Sequence, residues 1–509
     1  MRPKQLITTF SASQLDQYNY ELRGIVKEKR DHESNTFYSE RSILNGYKRE
    51  LIQINQDSWH EKISFSIHVP GVSWLLAIAI KRHLKKLPNR DTFPFWHPPT
   101  QLEPATILSI WTLIGIAFLN SYYATLLGQL LTFTASEFHS STATQGLVLG
   151  FSRLDIVPAL FLLFVADKIG RSKIILFSTA MGAVFSTLGA LAPNMYFLAA
   201  DQILTKAFAT SAILLIAIVS SEIVPATARA WSLASLVIGS ALGAGAAAAM
   251  IPLAGISAGS WRILYAVSIL ALLAIKPFSK HLKESERFRF LSTKPTFSNG
   301  ELQSQKNRQA LILLCIASFL LNLFFIPASQ FRNEFLSHDQ SFSPLAISIF
   351  TIITAAPGAI GLALGGRLSE TKGRRIVSTV ALIIGTGGLM MAFLSKGAMI
   401  WIWAILGSTI SPAVIPSLGV YGTELFPTKY RGKANGIIGV WSRIGSIVGV
   451  VGVGFLGSTI YNQVGTPLAL MGIGPLLLAV IIFFRFPETK GLELETINPE
   501  DASFKDPWR

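Results

Sequence analysis

The sequence predicts an all-α integral membrane protein with twelve transmembrane helices, arranged as two six-helix bundles related by an internal repeat. Three observations predict it. Apolar runs long enough to cross a bilayer recur twelve times between about residues 105 and 486. Half of the residues are hydrophobic and only 14% are charged, against roughly 25% in an ordinary soluble protein. Three charged signatures in the first half return in the second at a nearly constant spacing.

A hydrocarbon core about 30 Å thick takes roughly 20 helical residues to cross. Runs of that kind lie at 107–133, 144–166, 174–192, 195–221, 231–253, 261–276, 310–330, 344–366, 376–394, 398–423, 434–457 and 467–486. The sixth is short, and its helix is expected to run on at the basic end. Lysine and arginine favour cytoplasmic loops. On one side fall Lys168, Arg171 and Lys173, then Arg229, then a basic stretch from Lys276 to Arg308. Arg367, Lys372, Arg374 and Arg375 follow on that side, and finally Lys429, Arg431 and Lys433. The opposite loops offer little beyond Arg332 and Lys396, with Arg262 near a boundary. An even number of spans puts both termini on the basic side. That side is expected to be the cytoplasm, for a multi-pass protein of the plasma (inner) membrane.

The chain then divides into a cytoplasmic N-terminal region at 1–104, a bundle at 105–276, a polar cytoplasmic loop at 277–309, a second bundle at 310–486 and a tail at 487–509. No secretory signal is expected at the start. Residues 14–30 read as a short polar helix. Residues 72–86 join the apolar stretch V-S-W-L-L-A-I-A-I to Lys81, Arg82, Lys85 and Lys86, which reads as an interfacial helix held to anionic lipid. A small soluble cap accounts for this region equally well.

The one cysteine, Cys315, sits in an apolar run, so neither a disulfide framework nor a cysteine-rich metal site is expected. The net charge of +15 is scattered between hydrophobic segments rather than gathered on a patch, which speaks for membrane topology and against nucleic acid. No nucleophile elbow, His/Glu metal spacing or phosphate-cradling loop appears, so an enzyme or a primary pump is not expected, nor any cofactor.

The repeat is the sharpest feature. Asp167 in A-D-K-I-G-R-S-K corresponds to Glu370 in S-E-T-K-G-R-R at an offset of 203. Glu222 in S-E-I-V-P-A-T-A-R corresponds to Glu424 in T-E-L-F-P-T-K-Y-R at an offset of 202, and Glu284 in K-E-S-E-R to Glu488 in P-E-T-K-G at 204. From about residue 105 to 491 the chain resembles the major facilitator superfamily, and within it the sugar-porter and metabolite–proton symporter group. The duplicated acid–Gly–Arg loop (Asp167, Gly170 and Arg171; Glu370, Gly373 and Arg374) carries the resemblance to the superfamily. The E-x-x-P-x-x-x-R pair (Glu222 and Arg229; Glu424 and Arg431) and P-E-T-K-G carry the likeness to the group.

The resemblance implies two bundles rocking about a central site. It gives Asp167 and Arg171 a latch against span eleven, and Glu370 and Arg374 its counterpart beside span five. One departure concerns the glycine expected four residues before the acid: Gly366 supplies it in the second copy, whereas Leu163 stands there in the first. Salt-bridge clusters of this kind bias a bistable gate. Four G-x-x-x-G pairs fall on the second and fifth helix of each half: Gly146/Gly150, Gly239/Gly243, Gly361/Gly365 and Gly445/Gly449. Small residues four apart let helices approach closely in lipid, and in the family fold these helices form the seam between halves.

Ionisable groups inside the membrane mark function. Arg153 lies fourteen residues before Asp167, about 21 Å along the helix, and Lys206 sixteen before Glu222, about 24 Å. Asp155 and Arg443 overlap them in depth, and Asp201 is nearer the outer face. Three cations against one acid leave a surplus that an anionic group of a small-molecule solute would balance. Asp155, with Asp201 behind it, is the candidate for carrying a proton. Asn120 and Tyr123 in span one, and Asn322 and Gln330 in span seven, complete the candidate site, because the resemblance places spans one, four, seven and ten around the solute. Tyr123 stands where many proton symporters carry an acid, and span seven lacks the Gln-Gln pair typical of sugar porters. The expected protein is therefore a monomeric secondary transporter for a sugar-like metabolite or organic anion, with protons as the coupling ion. A transporter-like receptor that binds solute without moving it is the alternative.

Overall fold

The structure, a computed structural model, describes residues 4–18, 21, 26–31, 36–41, 45–66, 73–85, 102–224, 228–282, 305–419, 421–426 and 428–490. Twelve described helices are long and apolar enough to cross a membrane. Spans one to six are Ala105–Glu137, Thr142–Ala166, Arg171–Gly189, Met195–Ile223, Trp231–Ala254 and Trp261–His281. Spans seven to twelve are Asn307–Gln330, Pro344–Ser369, Arg374–Leu394, Ala398–Gly419, Ala434–Tyr461 and Gly465–Arg485. Each coincides with a run read from the sequence, and span six continues past residue 276 as expected.

Helices satisfy their own backbone groups, which is what hydrocarbon demands of a spanning segment. Their faces follow the solvent. On span two, Val157, Phe161 and Phe164 are exposed while Gln145 and Asp155 are buried, the reverse of a water-soluble helix.

Several spans are broken by short irregular turns. Span two runs as α-helix Thr142–Phe151, a 3-10 turn Ser152–Asp155, then α-helix Ile156–Ile169. Pro158 explains the break: it lacks an N–H and its ring crowds the carbonyl four residues back, that of Leu154. Span ten has a 3-10 turn at Ser411–Ala413, around Pro412. The tight turns after spans two and eight rest on Gly170 and Gly373, with φ of 124° and 103°, a backbone region that side chains disfavour. Here the repeat seen in the sequence is a repeat in backbone geometry.

The halves meet near the face opposite the basic loops. The first part of span two packs on span eleven, and the first part of span eight on the end of span five. At Gly146 an added Cβ would come within 2.8 Å of the Val450 carbonyl oxygen and 3.0 Å of Gly454 Cα. Gly150, one turn on, also faces span eleven, but the expected close backbone approach is corrected there. Its nearest neighbours are side-chain methyls, with Val451 Cγ2 2.8 Å from an added Cβ and those of Ile447 and Val450 beyond 3.7 Å. Branched side chains fill the space between the two helices at Gly150, so of this pair Gly146 is the one that meets the backbone of span eleven.

The expectation that all four glycine pairs line this seam is corrected too. Gly239 and Gly243 face Ile114 and Phe118 of span one, Gly361 and Gly365 face Thr409 and Ala413 of span ten, and Gly445 and Gly449 face Phe319 and Leu323 of span seven. Those three pairs hold helices together within one half. A G-x-x-x-G spacing permits a close neighbour, but the rotation of the helix decides which one.

The N-terminal region also departs from expectation. The described part of 14–30 is not one helix: a 3-10 turn Ala12–Gln14 and a short helix Leu15–Tyr18 precede strand Lys27–Arg30. That strand is β2 of a five-stranded antiparallel sheet ordered β1-β5-β4-β3-β2, with β1 Lys4–Ser11, β3 Thr36–Arg41, β4 Asn45–Asn55 and β5 Ser58–Ser66. Residues Ser73–Leu84 are helical, within the stretch expected to be so. Tyr47, Arg49 and Leu51 alternate inward on β4, as Glu61, Ile63 and Phe65 do on β5. The inward charges form one cluster. Arg49 donates to Glu28 from Nε (2.8 Å) and Nη2 (2.6 Å), and from Nη1 to the Tyr18 carbonyl (2.7 Å). Burial and the neighbouring Glu28 push the Tyr47 phenol well above its ordinary value. Arg49 and Glu61 interrupt the apolar alternation and read as surface charge in one dimension, which is why the strands escape a sequence pattern.

Candidate functional site

The break in span two sets the site. The 3-10 turn carries both Arg153 and Asp155. Asp155 is buried and holds the bundles together: its Oδ2 accepts from Thr210 Oγ1 of span four (2.8 Å), and its Oδ1 lies 3.1 Å from Arg443 Nη1 of span eleven. The second contact crosses from one half to the other. It is an ion contact rather than an aligned hydrogen bond, since Oδ1 has no hydrogen-bond partner. Lys206, also buried, donates from Nζ to Ser152 Oγ at 3.0 Å. Arg153 has Nε and Nη2 buried without a partner. The four charged groups that the sequence placed at overlapping depth gather around one turn. Among the described residues, only Arg443 of the three cations has a carboxylate.

Within the C-terminal half a cavity of about 460 Å³ runs along spans seven, ten and eleven, and none of the four charged groups lines it. Asn322, Ser318 and Ser411 line its inner part, and Gly422 and Asn435 its part toward the basic face. Asn322 donates to the Ser318 carbonyl (2.8 Å), which leaves its amide oxygen for the cavity. Toward the opposite face the halves are bridged: Gln145 donates to Glu334 Oε1 (3.1 Å), and Asn333 donates to the carbonyl and Oε1 of Gln129 (2.8 and 3.0 Å). Gln330 presses against Gly128 of span one. Sequence reasoning missed the Gln145–Glu334 bridge. The available signal was a polar residue at the outer end of a span in each half.

Other expected site residues face elsewhere. Asn120 donates to Thr179 Oγ1 and the Ile116 carbonyl (both 2.9 Å), and the Tyr123 hydroxyl donates to the Thr179 carbonyl (3.3 Å). Both are buried between spans one and three and line neither the cavity nor the charge cluster. Asp201 accepts from Gln202 (3.1 Å) and packs against Gly189 of span three, away from Asp155.

The gate motifs form contacts inside each half. Arg171 pairs with Glu222 at the basic ends of spans three and four. In the second half Glu488 accepts from the backbone N–H groups of Arg374 (3.0 Å) and Arg375 (3.1 Å), capping the start of span nine. There an acid meets the positive end of the helix dipole. Arg374 Nη1 also donates to Thr489 Oγ1 at 3.0 Å. The side chains of Asp167, Arg229, Glu370, Glu424 and Arg431 lie outside the described residues, as does Glu284.

Two helical bundles, joined near one face and lined by a cavity toward the other, with charge gathered where they meet, define a polytopic membrane transporter. The chain belongs to the Major Facilitator Superfamily, whose family model matches residues 113–450 and 330–509. It is 23% identical over 405 residues to a putative metabolite transport protein of Haemophilus influenzae, covering 75% of this chain and 97% of that one. It is 27% identical over 257 residues to a probable 4-methylmuconolactone transporter of Cupriavidus pinatubonensis, covering 48% of this chain and 57% of the relative. Among solved structures, a bacterial homolog of the human lysosomal transporter Spinster superimposes with a TM-score of 0.64 at 15% identity, covering 75% of this chain and 97% of that one. The N-terminal sheet precedes the family match.

Proposed function

We propose that this protein is a secondary transporter that moves a small organic anion by alternating access, with Arg153 and Lys206 as the anion's electrostatic partners. The observation that carries the reading is the pair of cations, Arg153 and Lys206, beside Asp155 with no carboxylate of their own among the described residues. A desolvated cation is costly unless compensated, and a solute carboxylate or phosphate drawn to the cluster supplies the compensation. With the basic face cytoplasmic, the cavity opens inward and the Asp155–Arg443 contact is the innermost tie of the closed outer half. Asp155 is the proton carrier in this reading, because its ion pair must part when the halves rock. The relatives named for metabolites support an organic solute, and transporters among them do not favour a receptor that binds without moving its ligand. The protein acts as a monomer in the plasma membrane.

The test is uptake into proteoliposomes with and without a pH gradient, comparing anionic with neutral solutes. Arg153→Ala and Lys206→Ala should each lower anion uptake by roughly tenfold or more, the scale of a lost charge-assisted contact. Unchanged anion uptake in both variants would sink the reading.

A further inference from the structure

A second cation also lacks a partner, in the other half and far along the chain. Arg332 follows span seven in the helical turn Arg332–Glu334. Its place in the sequence assigns it to an outer loop; in the structure it turns into the C-terminal bundle and lines a cavity of about 270 Å³. Its Nε is fully buried and has no hydrogen-bond partner, and no carboxylate pairs with it among the described residues. Glu334, the acid nearest in sequence, is engaged by Gln145 across the seam instead.

Apart from the hydroxyls of Ser329, Thr354, Ser408 and Ser411, the rest of the cavity is apolar and aromatic. Phe325, Phe335, Phe350 and Phe393 form its walls. The hydroxyls at its other end already donate elsewhere, Ser408 to the Thr354 carbonyl (2.6 Å) and Thr354 to the Phe350 carbonyl (2.7 Å). The guanidinium is therefore the free charged donor of this cavity among the described residues. Phe325, Ser411 and Pro412 line both this cavity and the larger one, so the two cavities are neighbours that share these residues.

We propose that this cavity binds a monocarboxylate with a compact aromatic body, its carboxylate on Arg332 and its ring among the phenylalanines. The chemistry selects this class. A planar guanidinium matches a carboxylate with two parallel hydrogen bonds, and aromatic walls take a ring edge-to-face. A volume just under the usual range of about 300–1,000 Å³ for small-molecule sites holds one ring rather than a larger ligand. The site goes beyond the reading that sets an anion against Arg153 and Lys206, and it stands or falls separately, because different arginines in different halves carry the two.

Full-length protein in lipid nanodiscs, titrated with phenylacetate and with the neutral phenylacetamide, tests it by calorimetry and thermal shift. Phenylacetate should bind and raise Tm, and phenylacetamide should do neither. Arg332→Met should weaken phenylacetate by roughly tenfold or more, as expected for a lost charge-assisted contact. It should also raise the Tm of the ligand-free protein, which a merely structural arginine would lower. Ala404→Phe fills the cavity while leaving Arg332 in place and should abolish binding, so the proposal stays testable if Arg332→Met does not fold. Lys396→Met, which removes an exposed cation that lines neither cavity, should bind phenylacetate as the wild type does. No binding to the wild type, equal binding of phenylacetamide, or full binding by Arg332→Met or Ala404→Phe would overturn the site. Loss of binding in Arg153→Met with full binding by Arg332→Met would put phenylacetate on the N-terminal cluster and overturn this site, while leaving the N-terminal reading in place.

Discussion

The two halves share a scaffold and differ in chemistry. Span two breaks at Ser152–Asp155, and an offset of 203 carries that break to Ala355–Gly358, where span eight is interrupted between its helices Pro344–Ala355 and Gly358–Lys372. The prolines responsible, Pro158 and Pro357, do not correspond, yet the bends do. In the first copy the bend carries Arg153 and Asp155; in the second the matching positions hold Ala356 and Gly358, and Thr409 stands opposite Lys206. The bend is therefore a property of the architecture, and the charge is a specialisation of one copy. The C-terminal half answers with space: both interior cavities are lined by its helices, and the Arg332 guanidinium that lines one of them comes from the short helical turn after span seven. Duplication repeats geometry more faithfully than it repeats function.

The sharpest way to break this comparison is to remove its single acid. Asp155→Ala leaves Arg443, Lys206 and Arg153 without a counter-charge, and losing one partner of a buried pair costs about 3–5 kcal/mol. Uptake should fall to background and Tm should drop. The double variant Asp155→Asn with Arg443→Gln should recover stability relative to Asp155→Asn alone, and a thermal double-mutant cycle reads the coupling. If the two substitutions prove additive, the cross-half contact is not formed.

Next in size, two glycines separate seam from bundle. Gly146→Ala places a methyl against the Val450 backbone of the other half, so it should shift the protein toward an outer-open state. Gly239→Ala places one 2.8 Å from the Ile114 carbonyl oxygen within its own half, so it should lower Tm without favouring either state. Labelling of a cysteine introduced at Gln129, in a Cys315→Ala background, reports outer access. Equal labelling of the two glycine variants would contradict the assignment of seam and interior.

The smallest effect belongs to the outer bridge. Gln145→Ala removes one hydrogen bond to Glu334, on the order of 1–3 kcal/mol for a charged acceptor left buried. Outer labelling should rise less than in Gly146→Ala, with Tm nearly unchanged. Arg49→Met offers a control outside the membrane core: it should unfold the N-terminal sheet, read by circular dichroism, with the helical signal retained.

Much of this was legible from sequence. Apolar run length counts the spans, lysine and arginine identify their common side, and residue rise along a helix places Arg153, Asp155, Lys206 and Arg443 at one depth. All of these are one-dimensional quantities, written along the chain by the bilayer's thickness and dielectric. Rotation about a helix axis is not. It decides that Gly239 meets span one and Gly146 meets span eleven, that Asn120 and Tyr123 turn into their bundle, and that Arg332 turns into a cavity instead of a loop. Partner side chains are equally invisible in one segment: Gly146 and Gly150 read alike, yet valine methyls fill the gap at only one of them. The same holds in the N-terminal sheet, where Arg49 and Glu28 look solvated until strand register brings them together. Only tertiary structure settled these points, because a side chain's partner is chosen by packing across the molecule, and no single segment carries the information for both sides of a contact.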